Sequence, residues 1–420
     1  MQNKPHLIFI ATRVPYPLVT GHSIRTFNIL RGLAEHFSIH FFGFRDKNET
    51  PAYYAPADRA LMGICSSLHI EVVGAERNKG RFLIDLVSSL LKCQPFTAAK
   101  YHSRSMHKAI RAALRTHDVT VAHADSLQSG QYLTDVCIPK LLTNHNVEFL
   151  RLYRYAAQRR SVTHRLAFTI QGWLTKRYER TIVRDIGNCV VVSEQDLNIL
   201  ADVVPTARFF LVPNGADTSL PPLPPTDSTV FTALWVGGMN DPFNREGVLY
   251  FATRVLPRIQ ERIPEFEWYV VGRDPPPLLL SLASKRSAKL VIAGHLSSLR
   301  EAYERSAIVV VPLLSGGGTK LKVLEAMAMG RAVVTTPVGA EGIGARDGTE
   351  LEIASTDEDF ARKTCELLLD PQRRNRIAAA ARTLAERDFS WDAINQRMHF
   401  AVRCVISSCT RSRSRAACVE

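Results

Sequence analysis

Long apolar runs are missing from this chain of 420 residues. No segment approaches the roughly 18 consecutive apolar residues that a membrane span needs. The early run Leu7–Ala11 is too short for the h-region of a secretory signal and reads as a first strand. Paired cysteine signals are lacking as well. The eight cysteines stand at 65, 93, 137, 189, 365, 404, 409 and 418 with no C-x-x-C among them, which argues against a zinc site or a disulfide framework and for a reducing compartment. A cytoplasmic location is expected. There is no Walker loop, because the order Gly318-Thr319-Lys320 puts the threonine before the lysine, and there is no G-x-G-x-x-G. No nucleic-acid module signature occurs either, so charge is the sole support for a basic nucleic-acid-binding protein, and nucleic acid is not expected as a partner.

What is present is an ordinary globular composition, 46% hydrophobic and 22% charged, on a chain long enough for two domains with real cores. The formal net charge is +13, which favours anionic partners such as phosphorylated small molecules or anionic lipid. The excess is uneven. Between Arg151 and Arg184 stand Arg151, Arg154, Arg159, Arg160, Arg165, Lys176, Arg177, Arg180 and Arg184 against one acid, Glu179. Tyr153, Tyr155, Phe168, Trp173 and Tyr178 are interleaved with them. Such a segment, 151–184, suits peripheral contact with the anionic inner face of a cell membrane, or else forms a solvated helical face.

Strands alternate with helical segments throughout. His6–Ala11, Ile39–Phe44, Leu68–Val73, Val119–His123, Leu141–Thr143 and Asn188–Ser193 read as strands in the first half, a rhythm that implies an α/β fold with a parallel sheet. After Thr20-Gly21-His22-Ser23 a helix carries Ile24, Phe27, Leu30, Leu33 and Phe37 on one face, with His22 or Ser23 expected to cap it. Ser193 and Asp196 form a capping-box variant. The prolines of Pro221-Pro222-Leu223-Pro224-Pro225 make a stiff connector and mark the domain boundary. The pattern then restarts with Thr232–Val236, a loop Gly237-Gly238-Met239-Asn240, a helix over about Arg245–Ile263 and a strand Glu267–Val271. Helices are expected over Asp359–Asp370, Arg373–Asp388 and Asp392–Cys404, with a frayed tail beyond Ser407.

The stretch Ile308–Gly342 organises the rest. A buried strand, Ile308–Leu314, runs into Gly316, Gly317 and Gly318, then a helix from about Thr319 to Met329 with Gly330 at its C-terminal cap, and a strand Ala332–Thr336. A glycine loop that opens a helix aims unpaired amides at an anion, and a phosphate is the usual anion. Lys320 and Lys322 add charge. A carboxylate at Glu325 would repel a phosphate, so its partners are hydroxyls or the lysines. A sugar nucleotide satisfies all these groups, with its diphosphate at the amides and its ribose at Glu325; an ordinary i,i+3 pair of Lys322 and Glu325 is the plainer account. His145, in Thr143-Asn144-His145-Asn146-Val147-Glu148, and His123-Ala124-Asp125 sit at strand ends, where doubly wound sheets collect ligands.

With these residues in view, the chain resembles the family 4 retaining glycosyltransferases, the group 1 glycosyl transferases with the two-domain GT-B fold. The carriers are the Gly21 loop, Val192-Ser193-Glu194, Val212-Pro213-Asn214-Gly215-Ala216-Asp217, Val236-Gly237-Gly238 and, most specific, Leu324-Glu325-Ala326-Met327-Ala328-Met329-Gly330. Ser315–Leu324 with His145-Asn146-Val147-Glu148 is similar to the branch associated with exopolysaccharide gene clusters. The resemblance implies two Rossmann-like doubly wound domains facing a cleft. Residues 1–212 would bind the acceptor and 213–390 the donor; a helix 391–410 would return to the first domain, and 411–420 would form a frayed basic tail. It implies transfer, with retention, from a UDP- or GDP-sugar to a saccharide or lipid-linked acceptor, with no metal and no cofactor beyond the donor itself. Glu325 matches the second glutamate of the family's E-x7-E, expected to hold the donor ribose. Gly21 matches the loop near the donor phosphates, and His145 is similar to the histidine near the transferred sugar. Gly237, Arg245, Gly316, Gly317, Gly318, Thr319 and Lys322 complete the expected donor site, with His145 and Lys320 as the catalytic candidates. Two departures stand out: Gly317 occupies the place of the first glutamate, and Gly238-Met239 replace the usual basic residue after Val-Gly, a charge that Lys320, Lys322 or Arg245 would have to supply. A sugar-nucleotide 2-epimerase shares the architecture but needs acid/base carboxylates around the sugar, and none are identifiable here.

Overall fold

The computed structural model describes every residue except 1–3, 48, 74–88, 90–93, 158–160, 285–288, 297 and 417–420. Arg159 and Arg160 of the basic segment therefore lie outside the described residues. The chain divides into two compact units, 1–212 with 395–420, and 213–394.

The first unit contains a seven-stranded, wholly parallel sheet. Its strands are β1 (His6–Ile10), β2 (Ser38–Asp46), β3 (Ser67–Val73), β4 (Val119–Ala124), β5 (Lys140–Asn144), β6 (Asn188–Val191) and β7 (Arg208–Leu211), in the order β3-β2-β1-β4-β5-β6-β7. The second unit repeats the plan with β8 (Thr232–Val236), β9 (Glu267–Val271), β10 (Leu290–Gly294), β11 (Ile308–Val311), β12 (Ala332–Thr335) and β13 (Glu352–Ile353), in the order β10-β9-β8-β11-β12-β13. Each is a doubly wound Rossmann-like sheet whose chain reverses direction between the first and fourth strands, β1/β4 and β8/β11. Loops leaving the carboxyl ends of those two neighbours splay apart and leave a crevice for a ligand.

The central strands β1, β4, β8, β11 and β12 are largely buried on both faces because helices cover both faces. In β11, Ile308 and Val310 enter one core with Trp235, Phe251 and Trp268, while Val309 and Val311 enter the other with Leu324 and Met327. The register is parallel and unshifted between β11 and β12, with Val309 opposite Val333.

Several element boundaries differ from those read in the sequence, each for a local reason. The helix after Gly21 spans Gly21–Ala34 and is capped by neither His22 nor Ser23: Thr20 Oγ1 accepts from the amide of Ser23 at 3.1 Å. Ser193 does cap its helix, accepting from Asp196 N at 3.1 Å. The segment expected as one helix from Arg245 begins earlier, at Pro242, because Asp241 accepts from the amides of Phe243 and Asn244 and Pro242 suits the first turn. It then loosens into a π-type turn, Phe251–Val255, before Leu256–Arg262. Pro257 has no amide to give, so the regular ladder cannot run through it. At the other end, Trp391–Ala416 forms a single helix that includes 411–416, expected to fray. From Asn395 onward it belongs to the first unit: Asn395 sits against Gly32, and the rings of His36 and His399 stack at 3.9 Å.

Candidate functional site

The second unit contains the stretch Ile308–Gly342. β11 ends at Val311, and the chain passes through Gly316, Gly317 and Gly318 into the helix Leu321–Ala328. Gly316 and Gly318 take φ of 134° and 67°, on the side that residues with a Cβ rarely adopt. Asn214 Nδ2 donates to Thr319 O at 2.9 Å and so ties this loop to the start of the unit. No side chain among the described residues caps this helix; the amide of Val323 donates back to Lys320 O at 3.0 Å, and the positive end of the helix dipole favours an anion.

Across the β8/β11 crevice lies the loop after Val236. Gly237 has φ 159°, and a Cβ there would stand 2.7 Å from Lys322 Nζ. Gly272 comes closer still, since a Cβ on it would stand 1.8 Å from the carbonyl oxygen of Gly237. The loops after β8 and β9 meet this closely because Gly272 has no Cβ.

The lysines divide the work between them. Lys320 is buried, its ammonium donating to Gly318 O at 2.6 Å and standing 3.6 Å from Glu341. It braces the glycine loop from within. Lys322 faces the crevice, donating to Asn244 Oδ1 at 2.7 Å with its ammonium 4.6 Å above the Trp235 ring. It is not an i,i+3 partner of Glu325, because its ammonium is turned to Asn244 instead. Burial pushes the Lys322 amine down to about 8, with Asp241 and Glu325 opposing and Lys320 reinforcing. Glu325 has no side-chain hydrogen bond among the described residues, and burial pushes its carboxyl up to about 7, Lys322 partly offsetting this. Beneath it Tyr303 is buried with an unpartnered hydroxyl, its ionisation pushed up by burial and by Glu325. A half-buried carboxyl with no side-chain hydrogen bond among the described residues has the chemistry of an acceptor for hydroxyl donors. Arg245 is exposed on Pro242–Tyr250 and donates from Nε to Met239 O at 3.2 Å. Ser315 Oγ donates to Glu246 at 2.5 Å, joining the glycine loop to the same helix.

The first unit gathers its own cluster at the carboxyl ends of β4 and β5 and the start of Gly21–Ala34. His145 Nε2 lies 2.7 Å from Asp125 O and 3.4 Å from its Oδ2, and the ring of His22 meets that of His145 edge-on at 4.5 Å. Thr26 Oγ1 donates to Asp125 Oδ2 at 2.5 Å. Burial acts to raise the Asp125 carboxyl, but His145, followed by His22 and His123, outweighs it and holds the group well below the usual carboxylate range. His22 is pushed down to about 4 by burial and then by His145, and its Nε2 has no partner. His123 is also pushed down to about 4 by burial; it bonds Thr143 Oγ1 at 2.7 Å behind the cluster. The nearest nitrogen and oxygen atoms of His22, Asp125 and His145 lie within 4.8 Å of one another, as do those of His6, His40 and His117 at the opposite ends of the strands. Either trio could hold a metal ion.

One positioning residue escaped the sequence argument. Glu179, the lone acid of the basic segment, is fully buried. It accepts from Asn144 Nδ2 at 2.7 Å and from the amides of Glu148 and Phe149 at 3.4 and 3.3 Å. It thereby clamps both sides of the His145 turn, and burial, with Glu148 adding, pushes its own ionisation well up. A single acid inside a run of nine bases was the available signal. Asn244, Asp241 and Tyr303 were likewise invisible, because each reaches the site from a segment distant in sequence.

Two consecutive parallel sheets of this topology define the fold of the GT-B glycosyltransferases. Among solved structures, the chain superposes on a sucrose-phosphate synthase of Thermosynechococcus elongatus with a TM-score of 0.69 at 17% identity, covering 96% of this chain and 100% of that one. It superposes on Anabaena HepE in complex with UDP-glucose with a TM-score of 0.63 at 13% identity, covering 96% and 99%. Residues 230–370, which carry the Gly237 loop, the glycine loop and Glu325, match the family model of the glycosyl transferases group 1. Two curated relatives agree. One is an uncharacterised 44.6 kDa protein of the cps region of Klebsiella pneumoniae, 28% identical over 135 residues, 31% of this chain and 35% of the relative. The other is a phosphatidyl-myo-inositol mannosyltransferase of Mycolicibacterium smegmatis, 28% identical over 192 residues, 44% of this chain and 49% of the relative. The chain thus spans about a third and about half the length of these two relatives.

Proposed function

We propose that the protein is a retaining, metal-independent glycosyltransferase. It would move a sugar from a UDP- or GDP-sugar to a saccharide or lipid-linked saccharide acceptor in exopolysaccharide or cell-surface glycan synthesis. The observation that carries this is the Glu325 carboxyl, without a side-chain hydrogen bond among the described residues, near the Lys322 ammonium on a helix with no side-chain cap, within the segment that matches the group 1 family. Glu325 accepts the ribose hydroxyls. The glycine-loop amides, Lys322 and Arg245 balance the diphosphate, whose charge grows as the glycosidic bond breaks. Lys320 holds the loop in shape for this task. The departing diphosphate oxygen takes the proton of the acceptor hydroxyl on the same face, so the sugar keeps its configuration and no second carboxylate is needed. In the first unit, His145, set by Asp125 and Glu179, is the candidate residue for the acceptor.

The relatives support the finer parts of this reading. The Klebsiella protein is named for a cps region, the Mycolicibacterium relative for mannosyl transfer to a lipid, and the HepE structure for UDP-glucose. A thermal-shift panel of nucleotide sugars tests it, because a ligand stabilises in proportion to RT ln(1 + [L]/Kd). One UDP- or GDP-sugar should raise the melting temperature above its free nucleotide. A flat panel refutes the assignment.

A further inference from the structure

The helix Val162–Ile186 is 25 residues long, about 37 Å, and its inner face is buried through Gly172, Leu174, Thr175, Glu179, Ile182, Val183 and Ile186. Its outer face is divided along its length. In the first half Val162, Leu166, Ile170 and Trp173 are 69%, 59%, 37% and 54% exposed. At about 100° per residue these four share one arc about 80° wide. Past Trp173 the same arc continues as Arg177, Arg180 and Arg184, all exposed, with Lys176 and Arg165 on its flank. No ion pair involves Arg165, Arg177 or Arg180 among the described residues. Arg184 is paired with its neighbour Asp185 at 2.9 Å, and the one acid between positions 151 and 184, Glu179, is buried, so Arg177 and Arg180 carry the exposed charge of the arc.

An apolar stripe of this size is rarely left to water on a soluble protein. Its continuation selects the occupant. A protein partner or second copy would need an acidic rim at one end only, whereas a lipid leaflet offers an apolar layer bordered by anionic phosphates. Trp173 stands at the junction of the two halves, the level at which tryptophan settles in a membrane interface. We propose that this face docks the protein on an anionic lipid surface, with Val162, Leu166 and Ile170 at the edge of the acyl region and the arginines on the lipid phosphates. The docking is independent of the transfer chemistry and holds whatever the donor.

Trp173 also provides the assay. Of the four tryptophans, Trp235 and Trp268 are wholly buried and Trp391 is nearly so, which leaves Trp173 as the exposed reporter. The full chain is mixed at low salt with vesicles of phosphatidylcholine plus phosphatidylglycerol, and separately with phosphatidylcholine alone. Emission should shift to the blue, with protection from acrylamide, in the mixed vesicles only, and the protein should sediment with them. High salt should reverse both effects. Each arginine near an anionic leaflet is worth about fivefold in partitioning, so Arg177→Ser with Arg180→Ser should weaken sedimentation about 25-fold. Leu166→Asp should abolish the blue shift while leaving the melting temperature unchanged, since Leu166 makes no contribution to the core. The proposal is overturned if the mixed vesicles leave the emission and sedimentation unaltered, or if Leu166→Asp sediments like the parent chain. It is equally overturned if light scattering shows a dimer that Leu166→Asp dissociates and vesicles cause no shift.

Discussion

Replacing Glu325 by glutamine should make the empty protein more stable and the donor complex weaker. The unfolded chain ionises this carboxyl near 4.5, while burial in the folded protein delays ionisation to about 7. The folded state therefore keeps a proton that the unfolded state has already lost. The stability tied to this group is fully present below pH 4.5 and declines as pH climbs to 7. A shift of that size corresponds to about 3 kcal/mol, and partial exposure of the group reduces it to about 1–2 kcal/mol. Glu325→Gln removes this cost at pH 7.5. In the complex glutamine keeps one carbonyl acceptor and loses the charge, the equivalent of about one charged hydrogen bond of about 1.5–3 kcal/mol, so UDP or GDP should bind about 10- to 100-fold more weakly. The pH profile discriminates further. Ionisation of Glu325 near 7 raises donor affinity, and loss of the Lys322 proton near 8 lowers it, so affinity in the parent protein should peak between those values. The variant should lose the acidic limb and keep the alkaline one. Calorimetric titration of UDP and GDP from pH 6 to 9, with urea unfolding of the empty protein, measures both quantities. A variant that is less stable yet binds the nucleotide unchanged refutes the assignment of Glu325 to the donor.

Gly272→Ala should lower stability by about 1–3 kcal/mol, because its Cβ would lie 1.8 Å from Gly237 O and the backbone must move; an unchanged urea midpoint contradicts that close approach. Lys320→Ala should reduce turnover and also cost about 1–3 kcal/mol, since Gly318 O and Glu341 lose their buried partner; full turnover would remove Lys320 from any role in shaping the site. The first unit should weaken on acidification. His22 and His123 stay neutral in the folded state down to about 4 while the unfolded chain protonates them near 6.5. Unfolding free energy should thus fall as pH drops from 6.5 toward 4, by about 2 kcal/mol at pH 5 for the wholly buried His123 alone; denaturant curves at pH 7 and 5 that coincide would exclude the buried neutral imidazoles. Asp125→Asn should cost about 3–5 kcal/mol at neutral pH by breaking a buried charged cluster. That contribution is present above pH 3.8 and disappears as pH falls through the depressed folded value, which far-UV melts across the acid range would follow.

Much of this architecture was legible along the chain because its signals are local. Thr232–Val236 and Glu267–Val271 coincide with β8 and β9, since short apolar runs bounded by glycine or charge leave a buried strand few alternative ends. The glycine loop was legible for a similar reason: positive φ at Gly316 and Gly318 is a demand made by the backbone at those positions. Capping was less so. Thr20, His22 and Ser23 all qualify by type, and only the path of the chain into the helix selects Thr20. The two lysines are beyond any local rule. Lys320 and Lys322 are neighbours of the same kind, and the helix start turns one inward onto Gly318 and the other across to Asn244, 78 residues away. Glu179 makes the same point, for it is an acid in a basic run by sequence and a clamp on the His145 turn by contact. The sequence by itself determined the two doubly wound sheets and the glycine turn between β11 and its helix, because these depend on periodicity and on backbone conformations that glycine alone adopts readily. Which charges face the ligand, which brace the loop and which apolar residues are left on the surface of Val162–Ile186 was decided only by tertiary packing, where side chains distant in sequence compete for the same buried space.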